Sequence, residues 1–546
     1  MRSSVFIALA ALMPVTAASS QRATTTAAGA PHVRTKNGIV AGVVLPSGMR
    51  VFKGVPFAAP PVRELRWRPP QPARSWQGVR AADRFADQCM QARVFGDMMF
   101  RNSGVSEDCL YLNVWTPAAR GAAEMPVLFY IHGGGFVAGD GSEPRYDGES
   151  MAKRGIVVVT LSHRLGIFGF FSHPGLAAES PQHASGNYGL MDQTAALRWV
   201  QANIAAFGGD PRRVTIAGES AGSFSVSAQM ASPLAKDLLA GAIGESGAFF
   251  STTIPTPVHA ETEQNGVNFG DAIAAHSLSA LRALSATEIL EASGRPGVPR
   301  FGPNVDGWFL PEMPSNIFAA GRQAHVPLLA GWNSEESNAR ALLNEAPTPE
   351  NTRAQFAKLF GDRAADAAKV FPVSTAAEAQ QSLTDLASDR FIGYSTWKWL
   401  DVHARTSGRP VYRYLYAHPR PPLVASMGDA RPGLAGGIVR GGSSAPIPAT
   451  GAVHSAEIEY ALGNLPLNPV FAWTPDDHKV SATLQSYFEN FIKTGNPNGS
   501  GLPSWPSGGL TSNDQVQRIR IDVDTRAELE PRARYLFLDA TYAHPR

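Results

Sequence analysis

The 546-residue chain predicts an α/β fold: a large, mostly parallel central sheet flanked by helices, with long loop and helical insertions over one edge. Three stretches carry that expectation. Residues 127–131, Val-Leu-Phe-Tyr-Ile, and 156–161, Ile-Val-Val-Val-Thr-Leu, are near-continuous apolar runs of the kind found in strands buried on both faces. Residues 193–205 carry Ala196, Leu197, Val200 and Ile204 at helical spacing. They lead through Gly208-Gly209-Asp210-Pro211 into a short strand at 214–217, and strand, helix, strand in that order means a parallel sheet with crossover helices. The third strand ends in Gly218-Glu219-Ser220-Ala221-Gly222, a Gly-x-Ser-x-Gly string, and Ser225, Val226, Ala228 and Met230 continue it as a helix. Such a sharp strand-to-helix turn leaves its serine at the apex in a strained backbone conformation. Glycines suit the turn, because a Cβ there would collide with the neighbouring strand or helix. Gly244-Glu245-Ser246-Gly247 looks similar but has no glycine two residues after its serine, so it is not read as a second turn of this type.

Taken in order, the chain opens on Arg2, an uncharged run at 5–15 and small residues at 16–20. Val15-x-Ala17 and Ala18-x-Ser20 resemble signal-peptidase sites, and the run is too short to span a bilayer. Residues 1–20 therefore read as a signal peptide for export to the periplasm or the medium, and 21–31 as a disordered lead into one domain over 32–546. Residues 39–44 alternate weakly as an opening strand or hairpin, while 52–70 hold too many prolines for a helix or an interior strand and read as an irregular wrap. Cys89 and Cys109 are the only two cysteines; in an exported chain an even pair reads as one disulfide. Residues 106–115 then form a strand anchored by that bridge. Later strands fall at 326–331 and 411–416, with helical patterns at 355–359 and 378–386 between them. Residues 418–450, rich in Pro, Gly and Ser, read as a long surface loop. Leu484, Tyr487, Phe488, Phe491 and Ile492 share a helical face that stops at Gly495-Asn496-Pro497, and 535–538 are read as a last strand closing the sheet.

A serine hydroxyl is a poor nucleophile at neutral pH. It needs a general base within hydrogen-bond reach and a carboxylate that fixes the base's tautomer. After a turn of this type the partners follow in the order serine, acid, histidine. Of thirteen histidines, His403, His418, His454, His478 and His544 lie far enough past Ser220. His454 stands in a glycine-flanked loop, Gly451-Ala452-Val453-His454-Ser455-Ala456-Glu457-Ile458, that opens a helix. His418 and His544 precede prolines and read as loop surface; His478 follows two aspartates and reads as solvated. For the acid, the strand through 331 runs into Trp332-Asn333-Ser334-Glu335-Glu336-Ser337, and catalytic groups gather just beyond strand C-termini in open α/β sheets. Pattern alone does not choose between Glu335 and Glu336. The oxyanion of a tetrahedral intermediate calls for backbone N–H donors. Ala221 offers one, and Gly133-Gly134-Gly135 after the 127–131 run offers the others.

Several stretches together resemble the type-B carboxylesterases, the α/β-hydrolase group that includes bacterial para-nitrobenzyl-type esterases and the cholinesterases. They are Phe52-Lys53-Gly54-Val55-Pro56, residues 106–114, the glycine string at 133–135, Gly186-Asn187-Tyr188-Gly189-Leu190-Met191-Asp192-Gln193, Phe207-Gly208-Gly209-Asp210-Pro211 and the 218–222 turn. The resemblance covers nearly the whole mature chain. It implies the α/β-hydrolase fold and serine hydrolysis of carboxylic esters, with Ser220 as nucleophile and His454 as base. It points to Glu336 as the acid, because the family's Asp-Glu-Gly falls on Glu335-Glu336-Ser337. It further implies oxyanion donors at Gly134, Gly135 and Ala221, and a Cys89–Cys109 bridge. Glu219 and Ser246 match positions lining the buried wall behind the nucleophile. Trp332 stands where a smaller residue is common and is read as walling the pocket. The chain departs from the family at Ser337 and at Ser162-His163-Arg164, and no choline-binding tryptophan is identifiable between the cysteines, so cholinesterase activity is not expected.

A formal net charge of +2 argues against nucleic acid or an anionic membrane as the main partner. A small-molecule ester is the expected partner, with no metal, no cofactor and no stable membrane insertion. Oligomeric state is not readable. Amide or carbamate hydrolysis, or acyl transfer to an alcohol, would use the same fold. A non-catalytic binding protein is the rival from another class, disfavoured by the full set of candidate residues. Specificity is expected in loops at 95–101, 249–257, 297–303, 332–344 and 419–450. Arg420, Arg431 and Arg440 in the last are read as solvated loop charges rather than contacts for a carboxylated substrate.

Overall fold

The computed structural model describes residues 29–102, 104–117, 124–254, 256–441, 449–508 and 515–543. The signal peptide expected at 1–20 lies outside them, as does His544. Eleven strands build the main sheet: β1 (Val43–Val44), β2 (Arg50–Pro56), β3 (Tyr111–Thr116), β4 (Met125–Ile131), β5 (Val157–Leu161), β6 (Gly209–Glu219), β7 (Gly241–Glu245), β8 (Leu328–Asn333), β9 (Val411–Tyr416), β10 (Gln517–Ile521) and β11 (Arg526–Leu529). Their spatial order is β11-β10-β9-β8-β7-β6-β4-β5-β3-β2-β1. The seven strands from β10 across to β5 run parallel, and the flanking pairs are antiparallel.

Alternate residues of each central strand feed two separate cores, as the period of two requires. Val127, Phe129, Ile216, Leu328 and Val411 pack on one face, with the helices Tyr188–Asn203, Ala221–Ala231 and Tyr394–Thr406. Leu128, Tyr130, Ala217, Leu329 and Tyr412 pack on the other, against Leu484, Tyr487, Phe488, Phe491 and Ile492 of the helix Pro475–Thr494. That helix ends where glycine is expected to end it, Gly495 being left-handed at φ 74°. Coverage on both faces explains why the central strands read as unbroken apolar runs.

Two expectations fail. Residues 50–56 form a strand of the main sheet, paired on both sides, rather than an irregular wrap. The register breaks between Phe52 and Val55, where Gly54 takes φ 66°. The bulge absorbs the irregularity, and the prolines at 56, 60 and 61 fall at or beyond the strand's end. Residues 535–538 lie in the helix Ala533–Tyr542, with Tyr535 and Leu538 buried one turn apart. The sheet is closed instead by β10 and β11. Their Arg and Glu side chains pair across the strands, as in Arg518–Glu528, and hide the apolar alternation. The Cys89–Cys109 disulfide is formed beside β3. Among the described residues no helix is long and apolar enough to cross a membrane.

Candidate active site

The parallel strands deliver their C-terminal ends to one edge of the sheet. β6 ends at Glu219, and Ser220 follows at φ 54°, ψ −121° before the helix Ala221–Ala231 begins. A non-glycine residue in that region is strained, so the surrounding packing has to hold it there. The packing is close: a Cβ on Gly218 would sit 2.6 Å from the Gly222 carbonyl carbon and 2.7 Å from the Ile131 carbonyl oxygen. One on Gly222 would run into the same Ile131 carbonyl. The glycines of the turn thus let the helix rise directly against β4.

His454 reaches this turn from the loop before the helix Ile458–Leu462. Its Nε2 lies 2.9 Å from Ser220 Oγ, and its Nδ1 lies 2.6 Å from Glu336 Oε2. Glu336 follows β8 and is buried. Its Oε1 accepts from the Asn333 N–H at 2.6 Å and from Ser246 Oγ at 2.6 Å. Glu335 points the other way, accepting the Thr450 N–H at 3.0 Å. The structure therefore separates the two adjacent glutamates that pattern leaves equal: Glu336 meets the imidazole, and Glu335 pins the loop that carries it. Phe391 packs edge-on against the His454 ring at 5.2 Å.

Behind the serine lies a buried acidic cluster. Glu219 Oε1 sits 3.3 Å from His454 Nε2. Glu457 Oε2 accepts from Asn333 Nδ2 at 2.6 Å, and its Oε1 lies 3.3 Å from Ser246 Oγ. Glu245 accepts from the Tyr130 hydroxyl at 3.0 Å. Burial pushes the carboxyls of Glu219 and Glu245 up, and Glu457 to about 8. A neutral Glu457 also resolves the geometry at Ser246. One hydroxyl hydrogen cannot serve two carboxylates, so Ser246 donates to Glu336 and accepts from the Glu457 carboxyl. Burial by itself would lower the His454 pKa, but the carboxylates of Glu219 and Glu336 outweigh it and lift it to about 9.

The glycine string after β4 faces the same point. Gly134 and Gly135 have φ 109° and 62°, and neither N–H donates to a protein acceptor among the described residues. The Ala221 N–H, in the first turn of its helix, has no intrahelical acceptor. These groups open on a cavity of about 570 Å³ that reaches Ser220 and His454 and has seven phenylalanines in its lining. Loops 249–257 and 297–303 line it, with Leu434 and Ala435 of the 419–450 loop.

Trp332 does not wall this cavity. It packs on Tyr535 at 5.5 Å and lines a separate polar cavity of about 270 Å³ on the far side of the 333–336 turn, beside Asp385, Asp389 and Arg518. As a residue of β8 it projects from the sheet, and position along a strand rather than residue size decides which cavity it meets. His418 is buried rather than loop surface, 2.8 Å from Asp477 Oδ1. Arg420 is likewise internal, paired with Glu459 at 2.9 Å, while Arg440 forms an exposed pair with Asp429. Sequence reasoning misses Glu245, Glu457 and Asn333 as members of the cluster. The signal is present: each sits within three residues of Ser246, His454 or Glu336.

The Carboxylesterase family matches residues 29–536 of the chain. The chain belongs to that family. It is a carboxylic ester hydrolase, and the family's substrates are small-molecule esters. Among its relatives, the fumonisin B1 esterase of Sphingopyxis macrogoltabida is 36% identical over 462 residues, covering 79% of this chain and 82% of the relative. Carboxylesterase 5A of Canis lupus familiaris is 33% identical over 534 residues, 91% of this chain and 86% of the relative. A crystallised carboxylesterase of Geobacillus stearothermophilus superposes with a TM-score of 0.75 at 29% identity, covering 94% of this chain and 99% of the other. A PNB esterase structure does so with a TM-score of 0.75 at 30% identity and the same coverage. The α/β-hydrolase fold expected of the esterase is the fold found.

Proposed function

We propose that this esterase works through an acyl-enzyme, with Ser220 as nucleophile, His454 as general base and acid, and Glu336 orienting the imidazole. The supporting observation is the unbroken path from Ser220 Oγ to His454 Nε2 (2.9 Å) and from His454 Nδ1 to Glu336 Oε2 (2.6 Å). Ser220 Oγ attacks the ester carbonyl carbon while Nε2 takes its proton. The carbonyl electron pair moves to oxygen, where the N–H groups of Gly134, Gly135 and Ala221 would receive the charge. Collapse breaks the bond to the alcohol, which leaves with the proton from Nε2. Water then attacks the acyl-enzyme by the same route, releasing the acid and restoring the serine. Glu336 holds the Nδ1–H tautomer and faces the imidazolium that forms.

On this reading the protein is exported, to the periplasm or the medium, after removal of residues 1–20, and 32–546 act as one domain. The Cys89–Cys109 bridge supports an oxidising compartment. A fluorophosphonate probe is expected to label the wild type once, at Ser220, and to leave Ser220→Ala unlabelled. Equal labelling of the two proteins would refute the assignment.

A further inference from the structure

The cavity above Ser220 is walled by Phe95, Phe136, Phe170, Phe249, Phe301 and Phe391 among others. Among the described residues, one cation interrupts that wall without a counter-ion. Arg300 stands at the rim in the 297–303 loop, and its Nη2 donates to the Gly135 carbonyl, which fixes the guanidinium on the glycine string. A guanidinium carries five N–H donors, so most of them remain for another acceptor. Arg145 lines the same cavity but is paired with Glu143 at 3.0 Å, and the arginines of the 419–450 loop do not line it. Among the described residues no carboxylate pairs with Arg300. Glu261 shares the cavity wall but forms no ion pair with it. Burial lowers the Arg300 pKa, with no acidic neighbour acting against it. Arg300 is exposed at the cavity mouth, so water meets its remaining N–H groups, and a ligand carboxylate entering beside the phenylalanines would replace that water with a charged pair.

We propose that Arg300 is a specificity-determining residue that receives a free carboxylate on the substrate, so that the preferred esters are half-esters of di- or polycarboxylic acids. The inference rests on the reading of Ser220 as the nucleophile, because it takes the acyl group to sit beneath the glycine string. The planar fork of arginine matches a carboxylate with two parallel hydrogen bonds. Anchored on Gly135, next to the proposed oxyanion donors, it faces a carboxylate a few bonds from the scissile carbonyl rather than a remote one.

The test compares monoethyl esters of succinic, glutaric and adipic acid with the matching ethyl ester carboxamides, in which a neutral amide replaces the carboxylate. Hydrolysis is followed by pH-stat for the wild type, Arg300→Gln and Arg300→Lys. At one chain length or more, the wild type is expected to favour the half-ester by about tenfold or more in kcat/KM, the size of a charged hydrogen bond. Arg300→Gln should erase that ratio and Arg300→Lys should keep some of it. A wild type that cleaves the carboxamides freely but the half-esters no better overturns the assignment and leaves the esterase reading standing. An equal loss on both ester types in Arg300→Gln also overturns it, since the residue would then only brace the glycine string. Wild-type protein that cleaves neither ester and takes up no fluorophosphonate overturns both.

Discussion

β6 and β7 are neighbours that both end in Gly-Glu and are followed by serine, Gly218-Glu219-Ser220 and Gly244-Glu245-Ser246. Gly218 pairs with Gly244 and Glu219 with Glu245 in the sheet. Both serines have positive φ, 54° and 59°. Their hydroxyls nevertheless meet different partners: Ser220 reaches His454 at the cavity floor, and Ser246 is buried against Glu336. The two backbones diverge at the next residue. Ala221 and Gly222 start a helix against β4, whereas Gly247 turns at φ 144°, and a Cβ there would lie 2.6 Å from the Phe224 ring and 3.1 Å from the Ser220 carbonyl. The second turn is packed beneath the first. Identical local chemistry thus meets the imidazole of His454 in one strand and the carboxylate of Glu336 in the next, according to which turn faces the incoming histidine loop.

Substitutions in the two turns can break or sharpen this contrast. Ser220→Ala should show the largest effect, a loss of about 10⁴-fold or more in kcat with a native circular dichroism spectrum. Ser246→Ala removes a charged hydrogen bond from Glu336 without touching the reacting atoms. It should cost about 10- to 100-fold in kcat/KM, and an effect equal to that of Ser220→Ala would erase the distinction drawn between the turns.

The glutamates differ more quietly. A base must be unprotonated to act, and the His454 pKa is lifted to about 9, so kcat/KM should climb with pH from about 7 towards 9. Glu219→Gln removes a carboxylate that stabilises the imidazolium, so the climb should shift to lower pH by about one unit. A profile left in place would show that Glu219 does not act on His454. Burial pushes the Glu245 carboxyl well up, towards its neutral form, so Glu245→Gln keeps the shape and alters the charge least. It should leave the pH profile where it is and change stability by no more than about 1 kcal/mol in a denaturant titration.

Much of the site is legible in the sequence because its signals are short. The 218–222 turn, the glycine string and the loop around His454 are each set by fewer than ten neighbouring residues. The misreadings have a common physical source. Proline content argues against a strand over 52–70, yet a bulge at Gly54 lets 52–56 enter the sheet. The run at 535–538 is too short to carry a period, and burial of Tyr535 and Leu538 places it in a helix. Size suggests that Trp332 walls the cavity above Ser220, but the side of β8 it leaves decides otherwise. The proline after His418 suggests loop surface, but Asp477 from a distant helix buries it.

The parallel α/β plan, the strained serine turn and the glycine string that faces it come from sequence alone. All follow from apolar periodicity and turn chemistry, which act over a few residues. The choice of Glu336 over Glu335 by geometry, the carboxyl cluster beneath Ser246 and the unpaired Arg300 come only with the tertiary structure. The His454 contacts to Glu336 and Ser220 span 118 and 234 positions. At such separations no local pattern sets a distance, and only the packing of the whole sheet brings the side chains together.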